Sequence, residues 1–363
     1  MDQVVVKLGS SVVADADGAV RSDVLESVCS DIAALRAEGR EVVVVSSGAI
    51  ARGVDALGLP GRPRAIDELQ AASAVGQVAM FRAWEEGLAS RGLIAAQVLM
   101  MLHDIADRDG NLSIAATLKR LLAWGTVPVI NENDTTTTDE ITFGDNDLLA
   151  AQVAIMLGAG RLVLLTDADG LHESDPRTNP EAPLIREVSD MSQIEGFEVS
   201  QRPGEYGSGG MRSKVVAAEM ATSAGVETIV APGGSAGSLL TAAHGGDVGT
   251  RFLASRERHG SFKSWLRYAK PAKGTLVVDA GAAKALVEKG TSLLPVGIVA
   301  VEGEFQAGDS VEVAHEGRVI GKGLVSCSSE EIDRVKGMNS SEIRDVMPRA
   351  ADEAVHRDRF VLS

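Results

Sequence analysis

At 363 residues, with 45% hydrophobic and 24% charged content, the chain has the length and composition of a soluble globular protein of roughly two domains. Its formal net charge of −16 argues against a general affinity for nucleic acid or anionic membrane, because binding to phosphate backbones is chiefly electrostatic. No charged-then-apolar leader opens it and no run reaches about 18 apolar residues, so a cytoplasmic protein is expected.

In chain order, the first expected strand is Val4–Leu8, an apolar run that delivers Lys7 into the turn Gly9-Ser10-Ser11. A helix over Asp23–Glu38 follows, then a strand over Glu41–Ser46 that runs into Ser47-Gly48-Ala49-Ile50. Gly9 and Gly48 allow close backbone approach, so the donors at these strand ends suit phosphate oxygens or a carboxylate; two ordinary strand-to-helix turns are the plainer alternative. A helix over Ile66–Ser90, a strand over Leu93–Leu99 and a helix over Ser113–Trp124 come next. The strand Val127–Asn131 ends in Asn131-Glu132-Asn133-Asp134, and Gly144-Asp145-Asn146-Asp147 opens a helix over Asp145–Leu157. Asp and Asn are common helix caps, yet three in succession exceed what one cap requires. Such side chains can accept from an ammonium, donate to a carboxylate, orient two lysines from between them, or serve a Mg²⁺ that keeps its waters. The strand Arg161–Thr166 leads through Thr166 and Asp167, placed to contact a nucleotide, into a turn at Asp169-Gly170. Arg177 in the loop beyond reads as structural. Finally Gly207-Ser208-Gly209-Gly210-Met211-Arg212-Ser213 delivers Lys214 into a helix over Arg212–Ala224, and a strand over Val226–Ala231 follows.

Apolar strands alternating with helices imply a parallel sheet covered on both faces, a three-layer α/β/α sandwich whose ligands gather beyond the carboxyl ends of the strands. Every motif above falls at such an end. Two lysines on two glycine-rich turns suit the phosphates of a nucleotide, with backbone N–H groups cradling the oxygens, and point to a phosphotransferase. Neither turn has the P-loop spacing. The six histidines form no metal-binding pair, and Cys29 and Cys327 are too far apart for a metal motif and read as small buried apolar residues. Trp84, Trp124 and Trp265 read as core or interface.

The style changes after Ala254–His259 and the connector Lys270-Pro271-Ala272-Lys273-Gly274. Short strands over Thr275–Val278, Ile298–Glu302, Ser310–Ala314 and Val319–Val325, with one helix over Ala282–Glu288, predict a small β-barrel-like domain. The expected organisation is a catalytic domain over 1–255, a linker over 256–273 and a β-rich domain over 274–363.

Lys7-Leu8-Gly9-Ser10-Ser11, Ser46-Ser47-Gly48-Ala49-Ile50, Asn131-Glu132-Asn133-Asp134, Gly144-Asp145-Asn146-Asp147, Thr166-Asp167 and Gly209-Gly210-Met211-Arg212-Ser213-Lys214 resemble, in this order, the glutamate 5-kinase family of the amino acid kinase superfamily. Ser292-Leu293-Leu294-Pro295-Val296-Gly297-Ile298 and Gly303-Glu304-Phe305-Gln306-Ala307-Gly308-Asp309 resemble the PUA domain appended to many bacterial members. The resemblance implies ATP-dependent phosphorylation of the γ-carboxylate of L-glutamate, the first step of proline synthesis. It implies that Lys7 and Lys214 stabilise the transferring phosphoryl group and that Asp147 orients them. Ser47, Gly48, Asp134 and Asn146 would meet glutamate. Gly9, Thr166, Asp167, Ser208, Gly209, Gly210, Met211, Arg212 and Ser213 would join the two lysines around ATP, which is carried with Mg²⁺. A homodimer or tetramer, inhibition by proline and hand-over to glutamyl phosphate reductase are implied as well. Ser10, Ser208 and Ser213 stand where the family often has Thr, and Ser113 where an Asn is expected. N-acetylglutamate is the alternative substrate within the superfamily. RNA binding by the tail is the alternative from another class, and ten Lys and Arg against fifteen Asp and Glu from Gly274 to Ser363 speak against it.

Overall fold

The computed structural model describes residues 3–15, 19–106, 108–136, 145–194, 210–255, 266, 272–339, 342–343 and 353–362. The chain forms two compact units, Met1–Arg258 and His259–Ser363.

In the first unit, β1 (Gln3–Leu8) is buried on both faces, with Val4, Val5, Val6 and Leu8 each 0% exposed. A strand apolar throughout is what the middle of a covered parallel sheet requires. It pairs in parallel with β2 (Glu41–Val45) on one side and β5 (Arg161–Thr166) on the other. The sheet is completed by β3 (Ala95–Met100), β4 (Val127–Glu132), β6 (Glu187–Val188), β7 (Glu227–Pro232) and β8 (Thr250–Phe252), in the order β3-β4-β2-β1-β5-β7-β8-β6. Only the β7–β8 pair is antiparallel. The sandwich with a mainly parallel sheet is therefore as expected from the alternating pattern.

The helices are α1 (Ser10–Val13), α2 (Ser22–Ala37), α3 (Ala49–Ala56), α4 (Ile66–Ala89), α5 (Leu102–Ala106), α6 (Arg108–Ala123), α7 (Asp145–Leu157), α8 (Met211–Ser223) and α9 (Ser238–Ala243). Val4, Val6, Leu8, Val42, Val44, Val163 and Leu165 pack one sheet face against Ile32 and Leu35 of α2, Met80, Trp84 and Leu88 of α4, and Leu239 of α9. On the other face α7 lies against β1, β5 and α8. The order of the sheet reverses direction at β1, whose neighbours β2 and β5 come from the two halves of the chain, so the crevice beyond its carboxyl end is where ligands bind in such sheets.

The sequence pattern missed α1, α3, α5 and α9, all too short to be stable or legible alone. Tertiary contact holds α3. Gly53 of α3 and Gly76 of α4 bring the two backbones together, and a Cβ at either would run into the carbonyl oxygen of Ala72 or Ala49 respectively. Strand β3 starts and ends later than expected because it is an edge strand, only partly buried. Trp84 is fully buried, whereas Trp124 is 70% exposed; Trp265 lies outside the described residues. Cys29 and Cys327 are buried, as expected, and burial pushes the Cys29 thiol up to about 11.

The second unit contains β9 (Gly274–Val278), α10 (Ala280–Lys289), β10 (Ile298–Gly303), β11 (Ser310–His315), β12 (Arg318–Val325), α11 (Ser329–Val335) and β13 (Val355–Leu362). Among the described residues the strands form a five-stranded sheet, β10-β9-β11-β12-β13, in keeping with the β-rich domain expected. Helix α11 and strand β13 were not anticipated. The first is highly charged, and a capping box between Ser328 and Glu331 starts it. The second carries charges between its apolar residues and pairs along β12, with Phe360 buried in the core of this unit.

Candidate active site

Helix α7 supplies two consecutive residues to two different clusters. Asp147 is 0% exposed, and its Oδ1 lies 2.6 Å from Nζ of Lys7 at the end of β1. Its Oδ2 accepts from Nζ of Lys214 at 3.2 Å. The Ser213 hydroxyl, 2.6 Å from the same oxygen and 2.8 Å from the carbonyl of Gly210, ties the first turn of α8 to the cluster. Lys7 and Lys214 are each 4% exposed. Burial by itself would push the Asp147 carboxyl up, but Lys214, Lys7 and the bonds from Lys7 and Ser213 outweigh it and hold the group well below the usual carboxylate range. Burial, with Lys214 adding, lowers Lys7, while Asp147 opposes that shift. Two ammoniums on one carboxylate leave a buried excess of positive charge. Such a cluster is stabilised when an anion completes it.

The surroundings of this cluster are strand ends and one helix start. Lys7 stands opposite Val45 of β2 and Leu164 of β5. The Gly9 N–H donates to the carbonyl of Leu165 at 3.2 Å, and a Cβ on Gly9 would come within 3.9 Å of the Lys7 Nζ, so the glycine leaves open room beside the ammonium. Gly210 caps α8 in an extended conformation, and Met211, half-buried, and Arg212, exposed, occupy its first turn. That turn offers helix-start N–H groups and the positive end of the helix dipole. Thr166 is buried at the end of β5 and donates to the exposed Asp167 at 3.0 Å. Ser208 and Gly209 lie outside the described residues. Further out, Arg177 pairs with Asp175 at 2.8 Å, which is the structural role expected.

The second cluster is nearly uncharged. The Asn146 amide donates to Ser47 Oγ at 3.1 Å and to Asn131 Oδ1 at 3.2 Å. Gly48 follows Ser47 with a φ of 89°, which favours glycine, and starts α3. Asn131 in turn donates to Gln77 Oε1 at 3.1 Å, and Gln77 donates to the carbonyl of Glu132 at 3.1 Å. Asp134, in a short turn after β4, accepts from the Ser73 hydroxyl at 2.5 Å. Burial raises the Asp134 carboxyl, opposed by the Ser73 bond and by the Arg62 guanidinium. Ser113 is exposed on α6, while Asn111 donates to the carbonyl of Ile105 at 3.1 Å. Asp145 opens α7, but its side chain is outside what is described, as is Gly144.

The model of the amino acid kinase family matches residues 2–232, and that of the PUA domain matches residues 274–347. Glutamate 5-kinase from Thermus thermophilus is 44% identical over 362 residues, 99% of this chain and 97% of the relative. The chain belongs to the amino acid kinase family, and within it to the glutamate 5-kinases. Glutamate 5-kinases from Pelobacter propionicus and Meiothermus ruber are each 44% identical over 99% of this chain, covering 97% and 96% of the relatives.

In this amino acid kinase the helix expected over Ile66–Ser90 is present as α4, but the polar contacts it makes to the candidate site were not anticipated. Ser73 and Gln77, one turn apart on α4, and Trp84, which donates to Ser46 Oγ at 2.9 Å, hold the ends of β2 and β4 in place. A signal was present. Along Leu69, Ala72, Ser73, Gly76, Gln77, Met80, Trp84 and Leu88 the buried stripe of α4 carries two polar residues where apolar ones would serve packing better.

Proposed function

We propose that the chain transfers the γ-phosphoryl group of ATP to the γ-carboxylate of L-glutamate, forming L-glutamyl 5-phosphate and ADP, the first step of proline synthesis. The observation that carries this reading is the buried Lys7–Asp147–Lys214 cluster with its uncompensated positive charge. A carboxylate is already ionised at neutral pH, so its oxygen attacks the γ-phosphorus without a general base while the bond to the β-phosphate oxygen breaks. What the step needs is alignment of two polyanions and neutralisation of charge on the equatorial oxygens. Lys7 and Lys214 supply the charge. Asp147 holds both ammoniums in place while offsetting only one of their charges, and Gly9, Gly210, Met211, Arg212 and Ser213 supply backbone N–H groups for phosphate oxygens; Ser208 and Gly209 are assigned to the same group from the sequence alone. Thr166 and Asp167 meet the nucleotide from the end of β5.

The amide cluster takes the amino acid. Ser47, Gly48 and Asn146 approach glutamate from β2 and α7, and Asp134 takes its ammonium. Among the described residues no three His, Cys, Asp or Glu side chains converge into a cage. The donor set fits a Mg²⁺ that arrives on ATP and keeps phosphate oxygens and waters as ligands, where it would neutralise charge on the phosphates. No helix of the described residues is long and apolar enough to cross a membrane. We further assign to this chain inhibition by proline, a dimeric or tetrameric assembly and delivery of its labile product to glutamyl phosphate reductase.

The test is ATP turnover with Mg²⁺ and L-glutamate, the acyl phosphate being trapped by hydroxylamine, beside N-acetylglutamate. A glutamate-dependent hydroxamate supports the assignment. Turnover of N-acetylglutamate instead would refute both the substrate and the role of Asp134, because the acetyl group removes the ammonium.

A further inference from the structure

The amides around Asn146 form a chain with a fixed polarity, and its two anchors are the backbone groups of one residue. The Glu132 carbonyl can only accept, so the group of Gln77 that faces it at 3.1 Å is the NH₂, and Gln77 Oε1 is turned to Asn131. The Glu132 N–H can only donate, so the atom of Asn131 that faces it at 3.0 Å is Oδ1, and the NH₂ of Asn131 is turned to Gln77. Two independent anchors thus agree on how each amide is oriented, which removes the ambiguity that amide groups otherwise carry. Asn131 Oδ1 also faces Asn146, so Asn146 directs its NH₂ there and to Ser47. Both hydrogens of that NH₂ are then used. The Asn146 Oδ1 is left buried and without a hydrogen-bond partner. A buried acceptor in that state costs free energy until a donor arrives.

We infer that Gln77 is a positioning residue that sets the specificity of the amino acid site: through Asn131 it holds Asn146 with its oxygen toward the substrate, selecting a ligand that carries N–H donors. This deepens the glutamate reading and rests on it, the donor being the substrate ammonium. Gln77 is 8% exposed on α4, and among the described residues its side chain meets Asn131 and the carbonyl of Glu132 and does not touch Asn146 directly. Without it, the Asn131 amide keeps one anchor and gains freedom to turn, and Asn146 with it.

The experiment compares kcat/KM for L-glutamate and for glutarate, the same diacid without the ammonium, in the wild-type full chain and in Gln77→Met. Methionine keeps the volume and removes both hydrogen bonds. The expected result is a loss of roughly tenfold or more for glutamate, carried by KM, with glutarate changed much less and KM for ATP unaltered. A general structural defect would lower both acids together. That equal loss, or no loss at all, overturns the inference. Should Gln77→Met fail to fold, Asn131→Ser breaks the next link, and the same unequal loss is expected; an equal loss there is equally damaging. No wild-type hydroxamate from glutamate would overturn the substrate reading and this inference together, whereas wild-type turnover with equal losses overturns the role of Gln77 alone.

Discussion

Around Asp147 three charged groups and a hydroxyl are locked together, whereas around Asn146, the residue before it, the partners are a hydroxyl and a run of neutral amides. Successive residues on a helix point about 100° apart, so the first turn of α7 divides the crevice into two faces. The charged face stores electrostatic energy for a step in which charge moves. The neutral face discriminates, because a buried amide that lacks its partner penalises the wrong ligand. Damage to the first should therefore appear in kcat, and damage to the second in KM.

The largest effect is expected from Lys214→Ala, which should lower kcat by about 10²–10³, on the order of 3–4 kcal/mol, with KM for glutamate little altered. Steady-state kinetics at saturating ATP would check this, and turnover like the wild type would remove Lys214 from the chemistry. On the other face, Asp134→Asn should raise KM for glutamate by roughly 10- to 100-fold through loss of a charge-assisted bond to the ammonium, and leave kcat nearer the wild type. A fall in kcat alone would erase the division between the faces.

Gly76→Ala tests the scaffold under the neutral face. The added Cβ meets the backbone of α3, which cannot swing aside as a side chain would, and overpacking of this kind costs about 1–3 kcal/mol or more. A melting temperature lower by roughly 3–10 °C is expected by calorimetry. An unchanged melt would mean that α3 and α4 separate freely.

The smallest effect is in pH dependence. Burial raises the Asp134 carboxyl from its ordinary value, and the Ser73 bond works against that rise. Removing the bond in Ser73→Ala should raise the carboxyl further. Protonated Asp134 has no charge for an ammonium, so kcat/KM for glutamate should decline on acidification, and the decline should begin at higher pH in Ser73→Ala than in the wild type. A shift toward lower pH would contradict the assignment of Asp134.

Much of the fold was legible because it rests on local pattern. Continuous apolar runs such as Val4–Leu8 and Arg161–Thr166 have few places to go except the interior of a covered sheet, and the helix over Asp145–Leu157 was bounded correctly by its own residues. The charged residues of the site were legible too, since lysines and aspartates at the ends of apolar strands have no packing role to explain them. Helices α3 and α11 and strand β13 were not, because a seven- or eight-residue helix or a strand pairing depends on contacts distant in sequence.

The alternation of strand and helix, the family, and the pair of lysines proposed to carry the chemistry can each be read from residues whose type or spacing carries the information. Folding was needed to show that the carboxylate expected between the lysines is fully buried, and that Ser73 and Gln77 of α4 bond to Asp134 and to the backbone of Glu132. It also decided which atom of Asn146 is left for a ligand. A hydrogen-bond chain has a direction only when its ends are anchored, and here the Glu132 backbone anchors Gln77 from 55 residues away while Asn146 reaches Ser47 across 99.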